Sequence, residues 1–330
     1  MPQIQAQTMS LKAVADFLGT GAIEVPIFEK EIMDVVRRSS TVLKRIQQVP
    51  ATGHPHRYFE QTAIAQASAV DPRNISNTAT GPTRVERPAF IKAVTGQSNL
   101  SLFDQDVTEQ QGQFEYVVAK DVDDIISAIE VKRGKMLWAG TDTSLSAPTT
   151  LEWVGGLIQI SQQFTVAPKT SIIDGLKTAV ATMMSNENYE VMPTAIYLNP
   201  LLGDLIDKEA KASRITLDEV EVVPGVTCTA ISTQAGKLPL IPDVYMPTLA
   251  AGASGYGFTG VSGYSTYFAA ILTEKDIEIP VVSGKQWNPN PRLFQLGLTG
   301  NLSGQFVGIK FDSIIFKGAS YAHSVVGVQA

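Results

Sequence analysis

The 330-residue chain reads as an α+β protein: a long amphipathic helix near its middle, a discontinuous set of short strands after it, and an N-terminal extension without a core of its own. The helix is announced by Val122, Ile125, Ile126, Ile129, Met136 and Leu137, which recur at the spacing of one helical face. The strands are runs such as "VTCTAIS" and "DIEIPVV", rich in β-branched residues and bounded by Gly and Pro. The extension shows in "HPHRYFEQTAIAQASAVDPRNISNTATGPTRVERPAF", His54 to Phe90. It holds too much Ala, Thr, Ser, Asn and Pro to pack on itself, yet it carries spaced Arg, Val and aromatic residues.

From the N-terminus, Leu11 to Gly19 is a short helix closed by its glycine. In "FEKEIMDVVRRSSTVLKRIQQV", Ile32, Val35, Val36, Leu43 and Ile46 fall at helical spacing, with Glu early and Lys/Arg late as the macrodipole favours. From about Ala51 to Gly112, "TRVERPAFIKAV" and "QFEYVV" are strand-like, and Pro88 confines the first to an edge. Asp71-Pro72, Gly81-Pro82, Gly96 and Gly112 mark turns. A hairpin with arms of roughly 25 residues would project several tens of Å at about 3.3 Å per residue. An isolated two-stranded hairpin is marginal in water, so it needs another surface, and the rest of the chain does not obviously offer one.

The central helix spans 119–139, with Asp121, Asp123 and Asp124 at its start, Lys132, Arg133 and Lys135 near its end, and Gly140 closing it. Its roughly twenty residues make a rod of about 30 Å. Gly134 costs about 1 kcal/mol inside a helix and marks a candidate bend. "LEWVGGLIQI" is strand-like. "SIIDGLKTAVATMMS" is a second helix, opened by Ser171 with Asp174 three residues on and striped by Ile172, Leu176, Val180 and Met183. "PTAIYLNPLLGDLIDKEAK" is a strand, an N-cap at Asn199, a first-turn proline at Pro200 and a third helix. Short strands and loops follow to the end, and no internal repeat is visible.

Composition bounds the function. A hydrophobic fraction of 44% with 18% charged residues belongs to a folded protein. The net charge is −6, and Lys and Arg form only short pairs (Arg37-Arg38, Lys132-Arg133), which speaks against a nucleic-acid reader. A single cysteine, Cys228, excludes an internal disulfide and a cysteine zinc site, and its alternating surroundings make it a buried strand residue. No signal peptide and no membrane span are legible, so the chain is expected to be made in a cytoplasm.

Motifs for catalysis are scarce. "GYGFTG", Gly255 to Gly260, matches the dinucleotide fingerprint but lacks the strand before and the helix after that would seat a pyrophosphate, and reads as a glycine-rich loop tip. His54 and His56, with Glu60 nearby, could face one side of an extended chain, but no closed metal-ligand set forms around them. Glu187, Glu190, Asp204, Asp207 and Glu209 read as solvated carboxylates. G-x-S-x-G, the P-loop, H-E-x-x-H and C-x-x-C are absent. No enzyme, cofactor or metal is expected.

This order of parts resembles the tailed-phage major capsid proteins of the HK97-type fold. "MPTAIYLNPLLGDLIDKEAK" is similar to that family's strand-to-helix step into the axial domain, and "FDSIIFKGASYAHSVV" to its strand returning to the peripheral domain. The resemblance implies an N-terminal arm at 1–50 and an extended loop (E-loop) at 51–115 that lies on a neighbouring subunit. It further implies a peripheral domain at 116–194 and 291–330 with its spine helix at 119–139, and an axial domain at 195–290. Hexamers and pentamers would close into an icosahedral shell around double-stranded DNA, assembled in the host cytoplasm. A separate scaffolding protein, a portal and a decoration protein would be partners, and no membrane. Arg57, Arg73, Arg84 and Arg87, with Phe90, Arg37 and Arg38, would then contact neighbours, giving direction and register. Some members cross-link a loop lysine to an asparagine; Lys92 and Asn288 or Asn290 are of those types.

Two other readings compete. One keeps the fold in an encapsulin-like compartment shell around enzymes. The other is a carboxylate hydrolase with 51–115 as a lid, which predicts a deep acidic pocket, whereas the capsid reading predicts an arm and loop touching nothing of their own chain.

Overall fold

The computed structural model describes residues 40–73, 80–101, 103, 106–107, 110, 114–223, 226–296 and 303–330. The helix expected at Leu11–Gly19, most of the next one, and Arg37 and Arg38 lie outside these residues. What is described of that second helix is one turn, α1 (Thr41–Arg45), burying Val42 and Leu43. Ile46 is buried as expected, but it already has extended geometry and leads into strand β1 (Gln47–Pro50). Pro50 pushes the residue before it out of the helical region, and β1 pairs in parallel with β12 (Ile277–Val281) instead.

The segment 51–112 divides. β2 (His56–Ala63) and β3 (Thr83–Ala89) form a two-stranded antiparallel sheet. β4 (Lys92–Ser101) leaves it and pairs along the whole of β14 (Ser303–Asp312). With β1, β12, β13 (Arg292–Leu296) and β15 (Ile315–Phe316) these make a six-stranded sheet. "QFEYVV" is not a strand. Its Phe114 opens the long helix α2 (Phe114–Ala139), because extending a formed helix gains one hydrogen bond per residue fixed, enough to outweigh β-propensity. Asp121, Asp123 and Asp124 therefore sit inside α2 rather than at its cap, and Asp121 accepts from Ser98 Oγ at 2.9 Å.

Gly134 marks a close approach, not a bend. A Cβ there would lie 2.6 Å from the Tyr245 ring, and α2 continues unbroken past it. Gly140 ends α2 where a Cβ would meet the carbonyl oxygen of Trp153 at 2.3 Å. "LEWVGGLIQI" is likewise not a strand: Val154 alone bridges Thr141, and Gly156–Gln159 forms one helical turn, α3. Trp153, Leu157 and Ile160 are all fully buried at helical spacing, a pattern that a short apolar run hides.

The second sheet has eight strands. Its main order is β5 (Gln163–Val166), β16 (Ser324–Gln329), β11 (Thr266–Leu272), β6 (Ala195–Leu198), β9 (Gly236–Pro242), β8 (Val226–Thr233) and β7 (Asp218–Val223), with β10 (Thr248–Leu249) on β11. Its central strands are covered on both faces, which is why they read as continuous apolar runs. Ile196, Leu198, Ala269, Ile271, Val326 and Val328 face helices α4 (Ile172–Met184) and α5 (Pro200–Ser213). Ala195, Tyr197, Phe268, Ala270 and Leu272 face the cluster containing Trp138 and Trp153. Both expected caps form: Ser171 Oγ accepts from Asp174 N at 3.1 Å, and Asn199 Oδ1 from Leu201 N at 2.9 Å.

One buried ionic cluster joins α2 to β14. Arg133, which the sequence places only among the basic residues near the end of this helix, is enclosed. Its Nε donates to Asp312 Oδ2 at 2.7 Å and its Nη1 to both Glu130 oxygens at 2.7 and 2.8 Å. Burial pushes Asp312 up despite Arg133 and Lys310. Arg133 Nη2 and Asp312 Oδ1 find no partner among the described residues.

Candidate assembly surface

The β2–β3 hairpin has a root and a free part, and side-chain alternation separates its faces. His56, Tyr58 and Glu60 point one way with Ala89, Arg87 and Val85 opposite them; Arg57, Phe59 and Gln61 point the other, opposite Pro88, Glu86 and Arg84. The first face docks on the chain's own body. Tyr58 packs with Ala89 and Ile315, and His56 Nε2 lies 3.5 Å from Glu278. Glu60 accepts from Gly318 N at 2.8 Å and pairs with Arg87. Lys317 sits 6.0 Å over the Tyr58 ring and pairs with Glu278 at 2.7 Å. Burial first, with the charges of Glu60 and Glu278, pushes the Tyr58 hydroxyl up to about 12, so it stays neutral. Tyr189, stacked on Tyr321 at 3.9 Å, donates its hydroxyl to Thr62 O at 2.5 Å. The expectation that the loop touches nothing of its own chain is thus corrected at its root, where ordinary packing holds it.

Beyond the root, none of the hairpin's described residues is buried. Every described residue in 61–73 and 80–87 is exposed. Phe59 is 73% exposed, Ile64 43%, Val70 41% and Val85 39%, four large apolar side chains left to solvent on one hairpin. Ordering a backbone residue costs about 1–2 kcal/mol, and among the described residues no side chain of this stretch is buried to offset that cost.

The arginines sort themselves on this frame. Arg57 pairs across the strands with Glu86 at 2.9 Å, and Arg87 with Glu60. Arg73 and Arg84 are exposed and form no ion pair among the described residues; Arg73 uses its backbone N to bond Asp71 Oδ1 at 2.9 Å. Phe90 lies at the hinge, its N donating to Leu145 O at 3.0 Å and its ring edge-on to His54 at 5.2 Å.

A second exposed apolar feature went unread in the sequence. β13 is exposed along most of its length, with Leu293 at 42%, Phe294 at 47% and Leu296 at 46%. Its apolar residues look like core residues in a sequence; only the sheet order reveals that they stay about half exposed among the described residues.

The remaining candidates take structural places. His54 and His56 diverge, one to Phe90 and one to Glu278. No three metal-binding side chains converge among the described residues. "GYGFTG" closes on itself through a Gly255–Phe258 bridge, with Phe258 buried against Phe268, and the chain runs on to β11. Glu209, expected to be solvated, caps α4 from outside, accepting from Ser171 Oγ at 2.5 Å and Ile172 N at 2.8 Å. Asp204 pairs with Lys208 at 2.5 Å. Cys228 is half-buried rather than buried, since Thr227 and Thr229 beside it are exposed and the cover begins at Ala230. Lys92 is part-buried, bonding Asp142 at 2.8 Å. Burial opposes ionisation of Asp142, but bonds from Lys92, Thr149 and Thr143 outweigh it and hold that carboxyl well below its usual range. No helix among the described residues is long and apolar enough to cross a membrane.

No protein-family model matches the sequence, and no curated protein does. Solved structures do. The head structure of Helicobacter pylori bacteriophage KHP40 aligns over 94% of this chain and 95% of that one, with a TM-score of 0.64 and 9% identity. The capsid of the native GTA particle aligns over 96% and 99%, at 0.61 and 11%. The holo-SrpI encapsulin complex of Synechococcus elongatus PCC 7942 aligns over 95% and 94%, at 0.56 and 11%. At such identities the likeness is one of fold, carried over nearly the full length of each chain. The chain has the HK97-type fold.

Proposed function

We propose that this chain is a tailed-phage major capsid protein that assembles through hexamers and pentamers into an icosahedral shell around double-stranded DNA. The observation that carries the reading is the hairpin: a root anchored in its own subunit and a free part none of whose described residues is buried, on a fold whose solved examples include a phage head and a GTA capsid. Long loops without a core are functional or partner-bound as a rule. The chain then divides into arm (1–50), extended loop (51–115), peripheral domain (116–194 and 291–330) and axial domain (195–290). Arg73 and Arg84 supply charge for a neighbour's carboxylates, and Arg57, Arg87, Phe90, Arg37 and Arg38 take secondary places at that contact. Ring contacts of this kind are heterologous, so one loop-and-receptor pair repeats around each capsomer. The net charge of −6 keeps the inner wall from gripping packaged DNA. The protein acts as a wall, not an enzyme, in the virion. It assembles in the host cytoplasm with a scaffolding protein, a portal and, in some shells, a decoration protein.

The encapsulin match supports a second reading on the same fold, a shell around enzymes. Particles purified from the native source decide between them. Nuclease-protected double-stranded DNA inside supports the capsid; a co-purifying enzyme without DNA supports the compartment. A chain that remains monomeric with and without its genomic neighbours contradicts both.

A further inference from the structure

A cavity of about 450 Å³ lies outside the hairpin, beside α1, β1, α2 and β14. Leu43 and Trp287 line its apolar side, and Glu130, Arg133, Lys310 and Lys44 bring charge to it. Three positive groups (Lys44, Arg133, Lys310) meet two carboxylates (Glu130 and, behind them, Asp312), an excess of one positive charge. Glu130 is held by Arg133 Nη1 and one Asp312 oxygen by Arg133 Nε, while Asp312 Oδ1 is buried without a partner among the described residues. Arg133 Nη2 is buried and has no acceptor among the described residues, on a side chain only 2% exposed. Lys310, 3% exposed, has its Nζ 3.3 Å from Gln48 Oε1 but 3.9 and 4.0 Å from the two carboxylates.

We propose that this cavity is a binding site for a carboxylate group. A single negative charge matches the excess, whereas a dianionic phosphate would overshoot it. The group would accept from Arg133 Nη2 and the Lys310 ammonium, bonds of the charge-assisted kind, while Leu43 and Trp287 suit a short hydrocarbon stem. Burial first, then the neighbouring Arg133, holds the Lys310 ammonium down to about 8, the electrostatic shortfall that such a ligand relieves. The inference does not rest on shell formation. The carboxylate has two sources, a free small molecule or an acidic side chain of a second copy of this chain.

The test is calorimetric titration of the unassembled full chain with butyrate, a monocarboxylate on a short hydrocarbon stem, against chloride at equal ionic strength. Saturable binding is expected with butyrate only, weakened about tenfold or more in Lys310→Met through loss of one charge-assisted bond. Lys44→Ala, at the exposed rim, should also weaken it, by a smaller factor and with no effect on folding. No saturable binding to the wild type, or affinity unchanged in both variants, overturns the proposal. Repeating the titration on assembled particles separates the sources: binding retained means a free carboxylate, and binding lost means a second copy's side chain fills the cavity.

Discussion

Replacing Ile64–Pro82 by Asn-Gly would separate folding from assembly. The dipeptide is the favoured two-residue hairpin turn and joins the end of β2 to the start of β3. The described part of the excised segment buries no side chain, and the hydrogen bonds it takes away include Gln66 N to Thr80 O at 3.0 Å and the Asp71–Arg73 turn. Solvent-exposed bonds of that kind are worth about 0.5–1.5 kcal/mol each at most. Against this, shortening the connection roughly tenfold is a little over three halvings, each favourable by about 0.6 kcal/mol, so about 2 kcal/mol returns as reduced loop-closure entropy. The root contacts of Tyr58, His56 and Glu60 remain. Denaturant titration of the unassembled subunit should therefore give a stability within about 2 kcal/mol of the full chain. Sedimentation should show no particles. A subunit that loses clearly more stability, or one that still forms particles, would refute the assignment of the free hairpin to inter-subunit contact.

Three further outcomes follow from packing and charge. Arg133→Ala leaves Asp312 buried without its main partner and should destabilise the subunit by about 3–5 kcal/mol, while Arg133→Met combined with Asp312→Leu should recover most of that loss in denaturant midpoint. Gly140→Ala drives a Cβ to 2.3 Å from the backbone oxygen of Trp153, which cannot rotate away; a loss of about 1–3 kcal/mol or more is expected by thermal unfolding. The depressed carboxyl of Asp142 contributes stability that is fully present above its unfolded value of about 3.9 and is lost as pH falls through its folded value. Asp142→Asn should accordingly flatten the acid limb of the stability profile and lower the plateau at neutral pH, where Lys92 keeps its charge without its partner.

What was legible in the sequence is what local chemistry decides. Ser171 with Asp174, and Asn199 with Pro200, are short-range caps, and both helices begin where those residues put them. The α2 stripe is likewise a local period. Long-range pairing was not legible. β1 pairs in parallel with β12 across the length of the body, and no periodicity in Gln47–Pro50 hints at it. Charged residues depend on the same long-range pairing. Glu209 reads as solvated, and Arg133 only as part of a basic helix end, until Ser171 and Asp312 arrive from distant segments. For the hairpin, composition pointed to a segment without a core, but the own-chain partners of Arg57 and Arg87 depend on a register that only the paired strands reveal.

Whether this chain builds a shell can be seen by negative-stain electron microscopy of the full chain, expressed alone and together with its genomic neighbours. Closed icosahedral particles, or six- and five-membered rings, are the predicted result. A uniform population of monomers under every one of those conditions would contradict it.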